Sequence, residues 1–139
     1  MRWIVIAVAA VLVAGPAAAA PSARVVVEAK FAAVNRHAIP DIAALYAPDA
    51  VITASDFCQP RIGRAGVEQT YGAIFKAIPD ATVEVQEVIA EGDRVAVRFV
   101  VRSRAAGFAI PIQDFFTVKD GLIVRDEGRF DNGGRPCTP

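Results

Sequence analysis

A carboxylate stands among large apolar residues in the stretch "PIQDFFTV", Pro111 to Val118. Every second residue from Phe108 reads Phe108, Ile110, Ile112, Asp114, Phe116 and Val118, and alternate side chains of a β-strand share one face. Burying an unpaired carboxylate is costly, so Asp114 has to be hydrogen-bonded, protonated, wet or there for chemistry. Kept neutral by an apolar setting, it is a hydrogen-bond donor and general acid of raised pKa. Held by Arg98 or Arg125, or by backbone groups, it is a structural ion. The residues leave both readings open.

A second acid, Asp131, ends the last patterned segment in "RFDNGG". It reads as a pocket acid at a strand's end or as a turn former. The "KDG" turn sets a register between the two segments. With Asp120-Gly121 as a two-residue hairpin loop, Lys119 pairs with Leu122. Asp114 then faces Glu127, Ile112 faces Arg129, Ile110 faces Asp131 and Phe116 faces Arg125. A single bulge would invert part of this. On the other side of Asp114, a two-residue loop places Phe99 and a three-residue loop Arg98. Burial of the apolar set favours Phe99. The expected site has Asp114 and Asp131 as its catalytic candidates. Its expected lining is Tyr46, Tyr71, Phe75, Phe99, Ile112, Phe116, Glu127 and Arg129.

The elements that must position these residues fall into two groups. From Ala23 to Val34, apolar residues recur at helical spacing, with Lys30 on the same face as Val26, Val27, Phe31 and Val34. A second helix has Pro40 in its first turn, carries Ile42, Leu45 and Tyr46, and stops at Pro48 and Asp49. "AVITAS" is a short strand and "DFCQPRIG" an irregular loop. "RAGVEQTYGAIFKAI" is a third helix, stopped by Pro79. Beyond Pro79 the period changes to two, and "TVEVQEVIA", "RVAVRFVVRSR", "FAIPIQDFFTV" and "LIVRDEGRFD" are four successive strands joined by short turns. The fold class is α+β: three N-terminal helices on one face of a strongly bent, mostly antiparallel sheet.

The ends and the composition bound the rest. "MRW", then "IVIAVAAVLVAG", then "PAAAAPSA" reads as a secretory signal peptide over residues 1–19, cleaved after Ala19 or Ala20. Residues 24–139 then form a single domain in the periplasm or outside the cell, with no membrane segment left after cleavage. Lys+Arg and Asp+Glu are both 15, so no net charge draws the chain to nucleic acid or a lipid surface. Export to an oxidising compartment makes a Cys58–Cys137 disulfide plausible, two free thiols being the alternative. With His37 the only histidine, no zinc site is expected.

The order helix, "NRHAIPDIAALYAPDAVI", "QPRIGRAGV", helix and four strands ending "DGLIVRDEGRFD" resembles the nuclear transport factor 2-like fold, in its SnoaL-like branch, from Val25 to Asp131. The resemblance implies a cone-shaped fold around a pocket for a small hydrophobic molecule, no cofactor, and a homodimer through the sheet. It also implies general acid–base chemistry of the isomerase or cyclase kind. Position by position, the ketosteroid isomerases would place an oxyanion-hole tyrosine at Lys30, a protonated aspartic acid at Asp114 and the catalytic base at Ala54. Limonene epoxide hydrolases match at Asp131, while the rest of their set falls on Phe99, Val101, Ile52 and Ala54. Both sets are incomplete, so a non-catalytic binding or dimeric assembly protein stands as the alternative.

Overall fold

The computed structural model describes residues 19–139, so the expected leader lies outside the described residues except for Ala19. Helix α1 (Ala23–Asn35) starts where Ser22 Oγ accepts a hydrogen bond from the Val25 amide at 3.4 Å, a side-chain N-cap. Its run of valines is a weak helix former, but the face carrying Val26, Val27, Lys30, Phe31 and Val34 is buried, and packing outweighs propensity. Helix α2 (Ile39–Ala44) has Pro40 in its first turn. Strand β1 (Tyr46–Thr53) and the short β2 (Arg61–Ile62) lead into α3 (Gly63–Ala77). Strands β3 (Thr82–Glu91), β4 (Arg94–Ser103), β5 (Phe108–Lys119) and β6 (Leu122–Arg129) complete the chain.

The six strands form one sheet in the order β2-β1-β6-β5-β4-β3. All neighbours are antiparallel except β1 and β6. The helices cover one face, and Phe31 of α1 meets Phe99 and Phe116 edge-on, at ring separations of 4.8 and 6.0 Å. Helices first and a curved sheet last is the α+β architecture expected from the sequence.

Three local expectations are corrected. Tyr46, Pro48 and Asp49 open β1 and do not close α2. The β1–β6 register shifts between Tyr46 and Val51, so this stretch bows out of the ladder, where a proline's missing N–H is tolerated. Gly63 supports the bow: at φ 65°, a Cβ there would stand 2.2 Å from Pro48 O. Secondly, the loop after β1 contains β2, paired to Val51 and Ile52. Thirdly, Lys119 does pair with Leu122, but the β5–β6 register slips between Thr117 and Val118. Val124 is the extra residue, a β-bulge.

Among the described residues, no helix is long and apolar enough to cross a membrane. A disulfide joins Cys58 to Cys137, with Cα atoms 4.9 Å apart. Beside it Cys58 N donates to Thr138 O at 2.9 Å, and Thr138 N to Asp56 O at 2.6 Å. The C-terminal tail is thereby fastened to the loop after β1.

Candidate functional site

Helix α1 sends one cation into the interior. Lys30 sits one turn from Val26 and Val27, so it must point at the sheet, and its side chain is 2% exposed. A buried ammonium needs anions. Its Nζ donates to Asp114 Oδ2 at 3.3 Å and lies 4.0 Å from Asp126 Oδ2. The rings of Phe31 and Phe116 supply π-faces 4.2 and 4.8 Å from Nζ. From the start of β1, Tyr46 Oη donates to Asp126 Oδ2 at 2.5 Å. Tyr71 of α3 presents its ring 5.9 Å from Nζ. One cation, two carboxyl groups and two phenols therefore form one enclosed polar cluster inside an aromatic shell.

The bulge makes the cluster possible. Beyond Val124 the inner face of β6 carries Asp126 and Gly128, opposite Phe116 and Asp114. Arg125, Glu127 and Arg129 are turned outward, where Glu127 Oε1 lies 3.3 Å from Arg125 and 3.8 Å from Arg129. Gly128 gives Asp114 its room: a Cβ there would lie 2.9 Å from Asp114 Oδ1 and 3.7 Å from the Ala54 methyl group. Asp114 Oδ1 makes no hydrogen bond among the described residues, whereas Oδ2 is held by Lys30.

The electrostatics follow from burial and count. Burial, then the neighbouring charge of Asp126, pushes the Asp114 carboxyl up to about 7, and Lys30 works against both. For Lys30, burial acts to lower the pKa. Tyr71, Asp126 and Asp114 outweigh it and hold the ammonium above the ordinary lysine range. Burial raises Tyr46 well above the usual phenol range, with Asp126 adding to it. Tyr71 is pushed up to about 12, again chiefly by burial and against the pull of Lys30. Lys30 is therefore held as a cation, while the Asp114 carboxyl keeps a proton more readily than an ordinary aspartate.

The single expected pocket divides in two. Tyr71, Phe99 and Phe116 gather around the Lys30 ammonium that holds Asp114, and Tyr46 joins them through Asp126. Phe75 stacks on His37 at 4.0 Å, and the His37 ring Nε2 is 2.7 Å from Ala81 O. Asp131 does not join Asp114. It is exposed beyond β6, and its Oδ1 accepts from Gly133 N at 2.8 Å, the turn-forming reading. With Arg129 and Ile112 it lines a separate cleft of about 500 Å³, which Arg98, Gln113 and Phe130 also line. Glu127 leaves the site because the bulge turns it outward.

The strand partner of Asp114 on β4 is Val97, neither Phe99 nor Arg98. The β4–β5 loop runs from Arg104 to Gly107, and Ser103 pairs with Phe108. Reading the sequence missed Asp126 altogether and gave Lys30 no acid to meet. The signal for Lys30 was its place on the apolar face of α1. For Asp126 there was none short of locating the bulge. No group of metal-binding residues occurs among the described residues.

The model of the SnoaL-like domain family matches residues 27–126. A candidate polyketide cyclase from Sinorhizobium meliloti is 29% identical, the match covering 74% of this chain and 92% of that one, with a TM-score of 0.66. IdmH, a candidate polyketide cyclase from Streptomyces antibioticus, is 25% identical over 80% of this chain and 93% of its own, with a TM-score of 0.72. A candidate ketosteroid isomerase from Kribbella flavida is similar in fold, with 22% identity, coverage of 84% and 83%, and a TM-score of 0.68. Among curated proteins nothing matches.

Proposed function

The chain belongs to the SnoaL-like domain family, and from that premise we propose that it is an exported protein that binds a small hydrophobic molecule against Asp114 and moves a proton on it. The observation that carries this reading is the enclosed Lys30–Asp114–Asp126 group, two acids on one cation. Asp114 Oδ1 is the atom that meets the ligand, since Oδ2 is occupied by Lys30. An acid that titrates near neutrality can give and take a proton under ordinary conditions. The Lys30 ammonium beside it stabilises negative charge developing on a ligand oxygen, as an enolate would carry. Ala54 supplies no base, so the proton work falls to Asp114 itself.

The apolar leader-like segment and the Cys58–Cys137 bond support export to the periplasm or beyond. Exposed Ile89 and Phe115 on the outer face of the sheet support pairing with a second copy of the chain.

The test is α-hydrogen exchange of 2-tetralone, an apolar ketone, followed in D₂O by proton NMR. The wild-type chain accelerates exchange, and Asp114→Asn reduces that acceleration by about a hundredfold or more, the size expected of a lost general acid–base group. A second reading, a non-catalytic fold held by an internal ion cluster, draws on the near-complete enclosure of Lys30, Asp114 and Asp126. It wins if Asp114→Asn changes stability while binding and exchange of the ketone stay at the wild-type level.

A further inference from the structure

Outside the aromatic interior, three neighbouring strands place donors side by side. Arg98 of β4 is paired with Gln113 of β5, and Gln113 with Arg129 of β6. These side chains lie in the cleft of about 500 Å³ whose further lining includes Ser55, Pro111 and Phe130. Cross-strand neighbours start about 5 Å apart at Cβ, so two arginine arms can converge above the amide between them. Ser55 Oγ accepts from Phe130 N at 3.0 Å, which leaves its own hydroxyl hydrogen to donate into the cleft.

The arginines are not fully used by their carboxylate neighbours. Arg98 meets Glu87 through Nε at 3.4 Å, and Arg129 meets Glu127 through one terminal nitrogen at 3.8 Å. Arg129 spends another N–H on Gly128 O at 2.9 Å. The two carboxylate contacts are long and single-pronged, and both guanidinium groups are half exposed. Each guanidinium keeps N–H groups for a better acceptor. The one acid in the cleft, Asp131, has Oδ1 engaged by Gly133. Donors therefore outnumber acceptors, beside an apolar wall made by Pro111 and Phe130.

We propose that this cleft is a binding site for an organic carboxylate with an apolar body. The carboxylate is gripped between Arg98 and Arg129 over Gln113, and the body rests on Phe130 and Pro111. Two guanidinium groups suit the planar, two-oxygen geometry of a carboxylate. A cleft of this volume is in the range that takes a ring system of moderate size. Asp114 is not part of this lining, and it lies on the opposite face of β5 from Gln113.

The probe is 2-naphthoate, with 2-naphthamide as its uncharged counterpart and inorganic phosphate as a bare anion. Titration of the purified, disulfide-bonded chain is followed by calorimetry and by amide shifts in a two-dimensional NMR spectrum. Saturable binding of 2-naphthoate is expected, with shifts at Ser55, Gln113 and Phe130. Binding weakens at least about tenfold in the R98Q/R129Q double variant, as for lost charge-assisted contacts. Both arginines are exposed, so the double variant should keep its melting temperature. Asp114→Asn should leave the affinity unchanged, which separates this site from the proton-transfer reading. Equal binding of 2-naphthamide, tighter binding of phosphate than of naphthoate, unchanged affinity in R98Q/R129Q, or shifts confined to the Lys30 cluster would each overturn the assignment.

Discussion

Two ion pairs on opposite sides of the same sheet have almost the same length. Lys30 and Asp114 approach to 3.3 Å on the inner face, with side-chain exposures of 2% and 8%. Arg98 and Glu87 approach to 3.4 Å on the outer face, at 54% and 53%. Distance alone would rank them equal. Water decides otherwise: the outer pair is screened and its partners are hydrated either way, so its worth is small. The inner pair has surrendered its hydration, and either partner left alone becomes a liability. The inner face therefore holds charges that must stay where they are. The outer face holds charges free to exchange partners, which suits them to a ligand.

The sharpest way to break this contrast is Lys30→Met. Two carboxyl groups would lose their shared cation, and unfolding free energy in urea should fall by about 3–5 kcal/mol. A loss below about 1 kcal/mol would mean that the cluster is wet and the contrast false. The next test is pH. Asp114 moves from the ordinary 3.8 to about 7 on folding, so the folded chain binds this proton more tightly than the unfolded chain. Its contribution is fully present below about pH 4 and is lost as pH rises to about 7. The stability of the wild type relative to Asp114→Asn should therefore decline across that window and level off above it. A difference growing with pH would show that Asp114 is ionised throughout.

Smaller effects sharpen the picture. Gly128→Ala brings a methyl group within 2.9 Å of Asp114 Oδ1 and should cost about 1–3 kcal/mol, as overpacking does. In an Asp114→Ala background the same change should cost clearly less, a non-additivity that a double-mutant cycle reads directly. Additive costs would remove the contact from consideration. Last, Glu87→Gln on the outer face should change stability by no more than about 1 kcal/mol. A loss comparable to that of Lys30→Met would put the two faces on the same footing.

The faces of β4 and β5 were legible because apolar alternation fixes parity. Asp114 points inward with Phe99, Phe116 and Val118, as its pattern required. Even the wrong length for the β4–β5 loop changed only the neighbour. Moving the pairing by two residues substitutes Val97 for Phe99 and leaves the face intact. The β6 side failed for the opposite reason: a slip of one residue exchanges the faces, and nothing in "LIVRDEGR" marks where that slip occurs. Hence Glu127 and Arg129 were assigned to the interior and Asp126 was not. The position of Lys30 was written in its spacing, but its partner Asp114 lies 84 residues further on. Periodicity describes an element's own faces and does not say which distant side chains meet there.

Val124 is the residue β6 has in excess of its ladder. A chain lacking that one residue would straighten the strand and still present Asp126 and Gly128 to the interior. A chain lacking one residue just beyond it, between Arg125 and Gly128, would move the side chains that follow to the other face. In this strand the identity of the interior is carried by a count of residues as much as by their chemistry. A related chain that lost one residue there would keep nearly all of the motif's letters and turn Gly128 away from Asp114.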